Sequence, residues 1–206
     1  GEGRTVLFVS HNMAAVKSLC KKGVVMENGQ VAFKGNIDDS LNYYLSNTPQ
    51  DSDKKIIDYV KVYKHTLHLS RILINDREYC RSTIPSDQHI LSVQIEGETE
   101  EDMKTDVMLM LKTKDGTTLA TLAEGHYKGR IEMIPKGHFC LKKEIQLPLY
   151  VAHGQLYCDL MMHHPMVEWQ MQAHGCCILD CEGGQDAFGF AITMSEAGLF
   201  GLTSKE

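Results

Sequence analysis

The chain has 206 residues and a formal net charge of −6, with 43% hydrophobic and 23% charged residues. This composition is typical of a folded globular protein and not of a disordered one. Because lysine and arginine form no long cluster, the sequence argues against a nucleic-acid partner and against a basic membrane-binding patch. Its apolar runs are far shorter than the roughly 20 residues that span a bilayer.

The seven cysteines are odd in number and show no repeated spacing. Secreted domains held by disulfides use an even set in a recognisable pattern. The first residues also lack the basic and apolar regions of a signal peptide. We therefore expect reduced thiols in a cytosol-compatible protein.

The first elements of the chain mix strand and helix signals. Residues 5–10 are nearly all apolar and rich in β-forming residues, which predicts a strand buried on both faces of a parallel sheet. A helical pattern follows, and then Asn28-Gly29 stands between two β-rich arms, the pattern of a tight hairpin. Asp38 is suited to cap a further helix that extends to Leu45.

A polar segment without apolar periodicity, residues 47–55, predicts a linker between residues 1–46 and a second domain of residues 56–206. Beyond the linker, short β-rich runs recur at intervals of about 10–20 residues. They cover residues 67–75, 89–96, 106–113, 117–123, 138–147, 155–162, 174–182 and 187–193. This series predicts an antiparallel β-sandwich, immunoglobulin-like or of the jelly-roll type, and hence a mainly β chain.

Several motifs follow one another in a fixed order within the first 46 residues. They are Arg4–Asn12, which ends in Ser-His-Asn, then Cys20, Gly23–Met26 and Glu27–Gly35. In this order and spacing they resemble the end of an ABC ATPase domain. With the aromatic pair Tyr43-Tyr44 after them, they are most similar to the ATP-binding subunits of bacterial polysaccharide exporters, which transport O-antigen or teichoic acid.

The resemblance implies that the chain is the C-terminal part of a longer protein, called here the full-length parent, which binds ATP and Mg²⁺. By this resemblance His11 is the switch histidine that contacts the γ-phosphate of ATP in that parent. An imidazole at the end of a buried strand can donate a hydrogen bond to a phosphate oxygen. Taken alone, the same motif is equally a polar turn in which Ser10 or Asn12 caps the following helix. The sequence contains no phosphate-binding loop, so we expect His11 to be inactive here, and no cofactor and no enzyme activity in this fragment.

The resemblance also implies a C-terminal β-sandwich that binds the exported polysaccharide. It implies a transmembrane permease subunit as partner, a second copy of the chain in a homodimer, and a peripheral location on the cytoplasmic face of the inner membrane. An alternative stays open, in which the sandwich is a dimerisation or regulatory domain that assembles two ATP-binding subunits and binds no sugar.

Sugar recognition requires a flat aromatic face and side chains that both donate and accept hydrogen bonds. The candidates are Trp169, Tyr157, Tyr127, His126, His163, His164, Glu168 and Gln170. The segment around Trp169 is the best of them. The alternative for a single tryptophan in a β-sandwich is a place in the core or at an interface, and its exposure decides between the two.

Two adjacent pairs, His163-His164 and Cys176-Cys177, consist of metal-ligating residue types. Neither has the spacing of a closed zinc site. Neighbouring residues of a strand also face opposite ways, so the two members of a pair do not easily reach one ion. We expect no metal site.

Overall fold

The computed structural model describes residues 5–10, 13–27, 29–46, 53–88, 90–148 and 151–184. The N-terminal part contains a helix, a hairpin and a second helix. These elements are α1 (Met13–Leu19), β1 (Lys22–Glu27), β2 (Gln30–Asn36) and α2 (Ile37–Ser46). The predicted hairpin and both predicted helices are therefore present.

The cap of helix α2 lies two residues earlier than predicted. The side-chain oxygen of Asn36 accepts a hydrogen bond of 2.8 Å from the backbone N–H of Asp39, so Asn36 and not Asp38 acts as the cap. The Ser40 hydroxyl then donates to the carbonyl of Gly23 at 3.1 Å. Together with the stacked rings of Phe33 and Tyr43, this hydrogen bond fixes α2 against the hairpin.

Residues 5–10 form no strand, contrary to the sequence prediction. Val6, Leu7 and Val9 are 82%, 89% and 94% exposed. A strand needs neighbouring strands for its backbone N–H and C=O groups, and β1 and β2 pair only with each other among the described residues. An apolar run with no strand beside it therefore remains irregular.

The rest of the described chain is a β-sandwich. It opens with a 3-10 turn (Ile56–Tyr59) and includes one short helix, α3 (Glu124–Lys128). Its strands are β3 (Val60–Val62), β4 (Leu67–Ile74), β5 (Arg81–Ile84), β6 (Ile90–Thr99), β7 (Met103–Lys112), β8 (Thr118–Ala123), β9 (Glu132–Ile134), β10 (Gly137–Gln146), β11 (Gly154–His164) and β12 (Glu168–Cys181). None of the described helices is long and apolar enough to cross a lipid bilayer.

The strands form two sheets. The larger sheet has the order β3-β12-β11-β7-β8, with β5 also paired to β12 and β9 to β7, whereas the smaller has the order β10-β6-β4. The predicted antiparallel sandwich is confirmed, apart from one parallel pair formed by β5 and β12. The predicted strand at 187–193 and residues 47–52 of the predicted linker lie outside the described residues, while Lys55 is already bridged to Tyr79.

A single core lies between the two sheets. Strand β6 of the smaller sheet buries every second residue, including Leu91, Val93 and Ile95. Strand β11 of the larger sheet contributes its even-numbered residues to the same core, among them Leu160 and Met162. Each fully buried aliphatic side chain of this size stabilises the fold by about 1.5–3 kcal/mol. The odd-numbered residues of β11 consequently lie on the outer face of the larger sheet.

Candidate functional site

Trp169 lies on β12 next to an extra residue in that strand. On β11, His163 lies opposite Trp169. The next pair is Met162 with Met171, so Gln170 forms a bulge in β12. Because a bulge interrupts the alternation of side chains, Met171 is 0% exposed in the core whereas Trp169 is 45% exposed on the outer face.

Gln170 is anchored in the interior. Its Oε1 accepts a hydrogen bond of 2.6 Å from the Thr105 hydroxyl, and its Nε2 donates to the carbonyl of Lys104 at 2.7 Å. Its backbone carbonyl accepts hydrogen bonds from Tyr63 and Lys64. The sequence suggests Gln170 as a sugar ligand, but the structure places its amide inside the sandwich, where it supports the site and does not face a ligand.

Three rings form a stack on this face. The ring centroids of Trp169 and His163 are 5.0 Å apart with an interplanar angle of 24°, and those of His163 and His126 are 5.0 Å apart at 28°. The buried His163 ring lies between the other two, since two rings do not fit on one face at this distance. One face of the Trp169 indole is therefore supported from behind, and the other is left for an apolar ring surface.

The surroundings of the middle ring of the stack favour its uncharged form. Burial lowers the pKa of the His163 imidazole, and the opposing attraction of the Asp106 carboxylate is weaker. His163 Nε2 lies 3.6 Å from Asp106 Oδ2, too far for a hydrogen bond, and has no other hydrogen-bond partner among the described residues. Asp106 instead accepts a hydrogen bond of 2.8 Å from the backbone N–H of Gly125.

Helix α3 brings its candidate residues to the stack through a close approach at Gly125. A Cβ atom at this position would lie 2.7 Å from Asp106 Oδ2 and 2.8 Å from Cγ of Pro165. The absence of a side chain therefore lets α3 lie directly on β7 and on the turn between β11 and β12. His126 reaches the stack from this helix, and the next residue, Tyr127, is exposed.

Glu168 lies beside Trp169 at the end of the stack. Its carboxylate and that of Glu101 both contact the Lys64 ammonium, at 3.1 and 2.8 Å. The hydrogen bond from Lys64 is the main cause that holds the pKa of Glu101 below its usual value. These ion pairs tie the segment after β3 to β12 and to the turn between β6 and β7. His164, paired with Glu168 at the end of β11, is half-buried.

Tyr157 is not part of this cluster, although it lies on the same face of the sheet. Strand β11 pairs with β7 without a register break from Tyr157 to His163, so the two odd-numbered residues face the same side. Six residues separate them, about 20 Å along a strand. Burial raises the pKa of the Tyr157 hydroxyl, which donates weakly to Gln155 at 3.4 Å.

A buried carboxylate, Asp159, lies between Tyr157 and His163 on β11. The sequence analysis did not identify it. Asp159 accepts hydrogen bonds from the Lys112 ammonium, from His174 Nδ1 at 3.0 Å and from the N–H of Gly175 at 2.8 Å. Burial by itself raises the pKa of Asp159, but these three donors outweigh it and hold the pKa below its usual value. The available signal was an aspartate within an otherwise apolar strand, a position where acidic residues are rare unless paired.

Two further sequence predictions concern His11 and metal binding. His11 lies outside the described residues. In the part of the chain that the structure describes, no three His, Cys, Asp or Glu side chains are grouped to hold a metal ion.

No protein-family model matches the chain, and no curated protein matches it in sequence. Among solved structures, the crystal structure of the C-terminal domain of Wzt aligns with a TM-score of 0.44 and 14% identity, covering 71% of this chain and 84% of that one. A Niemann-Pick type C2 protein from the Japanese carpenter ant aligns with a TM-score of 0.41 and 11% identity, covering 58% and 95%. At TM-scores this low, neither similarity establishes a family.

Proposed function

We propose that residues 56–206 form a carbohydrate-binding module that recognises a polysaccharide on the outer face of the larger sheet. The observation that carries the proposal is the exposure of Trp169. A bulge turns this side chain out of the core, and two histidine rings stack behind it. A supported, half-exposed indole is the kind of surface on which the C–H groups of a sugar ring pack.

The platform is organised before any ligand arrives. Gln170 fixes the backbone below the indole through two buried hydrogen bonds, and the neutral ring of His163 fixes the indole plane. Ordering of side chains on binding costs about 0.5–1.5 kcal/mol per flexible group. A site whose aromatic ring is already held avoids most of this cost.

The wider role follows from the motifs of the N-terminal residues. In this proposal the chain is the C-terminal part of the ATP-binding subunit of a polysaccharide exporter, and the module presents lipid-linked glycan for ATP-driven export. ATP, Mg²⁺ and the switch histidine His11 belong to the motor of the full-length parent. The partners are a transmembrane permease and a second copy of the subunit, at the cytoplasmic face of the inner membrane.

The test is a calorimetric titration of the 206-residue chain with surface polysaccharide purified from the organism that encodes it. Saturable binding is expected, at least tenfold weaker in Trp169→Ala. Tyr44→Ala is the matched control, because Tyr44 is a similarly exposed aromatic residue on α2. Equal affinity in the wild type and Trp169→Ala would show that Trp169 is not the binding surface. Absence of binding at millimolar sugar would contradict the proposed function itself.

A second candidate function, subunit assembly without sugar binding, is favoured by β10. This strand is ten residues long and lies at the edge of the smaller sheet, with β6 as its only neighbour among the described strands. An edge of this length can accept a strand from another chain. Sedimentation analysis separates the two functions, because a stable dimer that binds no polysaccharide would support assembly alone.

A further inference from the structure

The outer face of the larger sheet carries a continuous row of side chains from one aromatic residue to the other. We call this row the outer lane and define it as Trp169, Gln172, His174, Tyr157 and Gln155. Gln172 belongs to it because it pairs with the outward-facing Met161. Beside Gln172 on the same face, the side chains of Met161, Met108 and Ala123 form a small apolar cluster.

The charged groups beside the outer lane are engaged within the protein. Next to Gln172, the Lys61 ammonium lies over the ring of Tyr63, 5.1 Å from its centroid. The Lys112 ammonium is paired with Asp159, whose carboxylate oxygens also accept the hydrogen bonds from His174 and Gly175. At the Tyr157 end, Arg81 contacts both oxygens of Asp180. Neither pair leaves a cation or a carboxylate free for an ionic ligand.

The remaining polar groups of the lane are suited to hydroxyls. His174 Nδ1 is directed at Asp159 and its ring is exposed, so its Nε2 is left towards solvent. In the neutral tautomer that donates from Nδ1 to Asp159, Nε2 is an acceptor. Gln155 donates to Asp180 through its amide, and Gln172 accepts from the Tyr63 hydroxyl at 2.9 Å. Gln172 therefore keeps its Nε2 for a ligand, whereas both amide atoms of Gln155 are engaged, since its Oε1 accepts the hydrogen bond from Tyr157.

We infer that the outer lane binds a run of several consecutive, uncharged sugar units, extended between Trp169 and Tyr157, and not a single terminal sugar. This inference rests on the proposed function and adds the class of ligand to it. The lane is about 20 Å long between its aromatic ends, which is longer than one sugar ring. Engaged charges, the Gln172 amide nitrogen and His174 Nε2 match a neutral chain of hydroxyls, whereas an anionic glycan would need a cation directed at it.

The experiment uses fragments of the polysaccharide, separated by length from the disaccharide to the hexasaccharide, in calorimetric titrations of the 206-residue chain. Affinity is expected to rise at least tenfold from the disaccharide to the hexasaccharide. Raising the salt concentration from 50 to 500 mM is expected to change the Kd less than twofold, because no ion pair forms with the ligand.

Two variants separate the inference from the proposed function. His174→Ala and Tyr157→Ala are expected to weaken hexasaccharide binding at least fivefold and to leave disaccharide binding unchanged. His138→Ala is the control, since its exposed side chain lies on the smaller sheet. His174 is itself largely exposed, so its variant keeps the test valid even where Tyr157→Ala unfolds.

The possible results are distinct. If affinity does not depend on length, while Trp169→Ala still weakens binding tenfold, the outer lane is wrong and the proposed function stands. If binding weakens strongly with salt, the ligand is charged and the inference fails on that point. If neither the fragments nor the intact polysaccharide bind, the proposed function itself fails.

Discussion

Gln170 and Thr105 are joined by a buried hydrogen bond of 2.6 Å between Oε1 and the hydroxyl, 65 residues apart in sequence. This contact holds the extra residue of β12 inside the sandwich. Trp169, the preceding residue, consequently lies on the outer face and not beside Met171 in the core. A polar contact within the core thus determines which surface carries the only tryptophan of the chain.

Gln170→Leu is expected to lower the free energy of unfolding by about 2 kcal/mol. The leucine fills similar space but leaves the Thr105 hydroxyl and the Lys104 carbonyl without their buried partner. Urea unfolding measures the loss, and the emission maximum of the single tryptophan reports whether its environment changes. Gln30→Leu, at an exposed position on β2, is the control and should stay within about 0.5 kcal/mol of wild type.

Stability is expected to fall as the pH drops below about 6.5, the ordinary pKa of histidine. Burial lowers the pKa of His163 in the folded state, so the unfolded chain binds a proton at a pH where the folded chain does not. The loss begins near the unfolded pKa and continues down to the folded one. Urea midpoints at pH 7.5 and 5.5 should show a steeper decrease for wild type than for His163→Gln. Parallel decreases in the two proteins would contradict the role of His163.

Gly125→Ala is expected to destabilise the fold by about 1–3 kcal/mol through overpacking, although alanine favours a helix more than glycine does. The new methyl group would lie 2.9 Å from Cβ of Asp106, an atom that moves only with its strand. Helix α3 would have to shift and take His126 away from His163. Thermal unfolding and polysaccharide affinity should both decrease, whereas Lys128→Ala on the same helix should change stability by less than about 0.5 kcal/mol. A fully stable Gly125→Ala protein would show that α3 is free to adjust.

Thiol reactivity should separate the cysteines by burial. Cys140 is exposed, whereas Cys158, Cys176 and Cys177 are completely buried. Burial also raises the pKa of Cys181 to about 11, which leaves little reactive thiolate at neutral pH. A disulfide reagent should therefore label Cys140 rapidly in the native protein and the core thiols only after unfolding. With the partly exposed Cys20 replaced by serine in every variant, Cys140→Ser should remove the fast phase, and rapid labelling of a core thiol would indicate local opening of the larger sheet.

Much of the sandwich was predictable because its strands have strong periodic patterns. All seven of the predicted sandwich strands that lie within the described residues coincide with observed ones, and the Asn-Gly hairpin was correctly predicted. Strands β3, β5 and β9 were missed, since three or four residues are too few to show a period of two. The predicted strand at residues 5–10 was wrong for the opposite reason. Its pattern was clear, but no described strand lies beside it.

The candidate site was predictable only in part. The sequence named Trp169, His163 and His126 among its candidates by their chemistry, and the structure brings their rings together. It gave no sign of the bulge. Strict alternation would place Trp169 with Met171 and Ala173 in the core. The bulge cannot be seen in the local sequence, because the groups that hold it belong to β7, which is distant along the chain. Asp106 was missed for a similar reason, since its closeness to His163 follows from strand register and not from spacing along the chain.

The position of β12 also determines the order in which this domain can be completed. Strands β3 and β5 both pair with β12, and the ion pair between Arg81 and Asp180 joins residues 99 positions apart. During synthesis these early strands must wait for nearly the whole domain before their partner emerges, and such long-range pairing is slow to form. The last described strand therefore closes the larger sheet, and a ribosome that stalls before β12 would leave β3, β5 and β11 with exposed backbone edges open to aggregation.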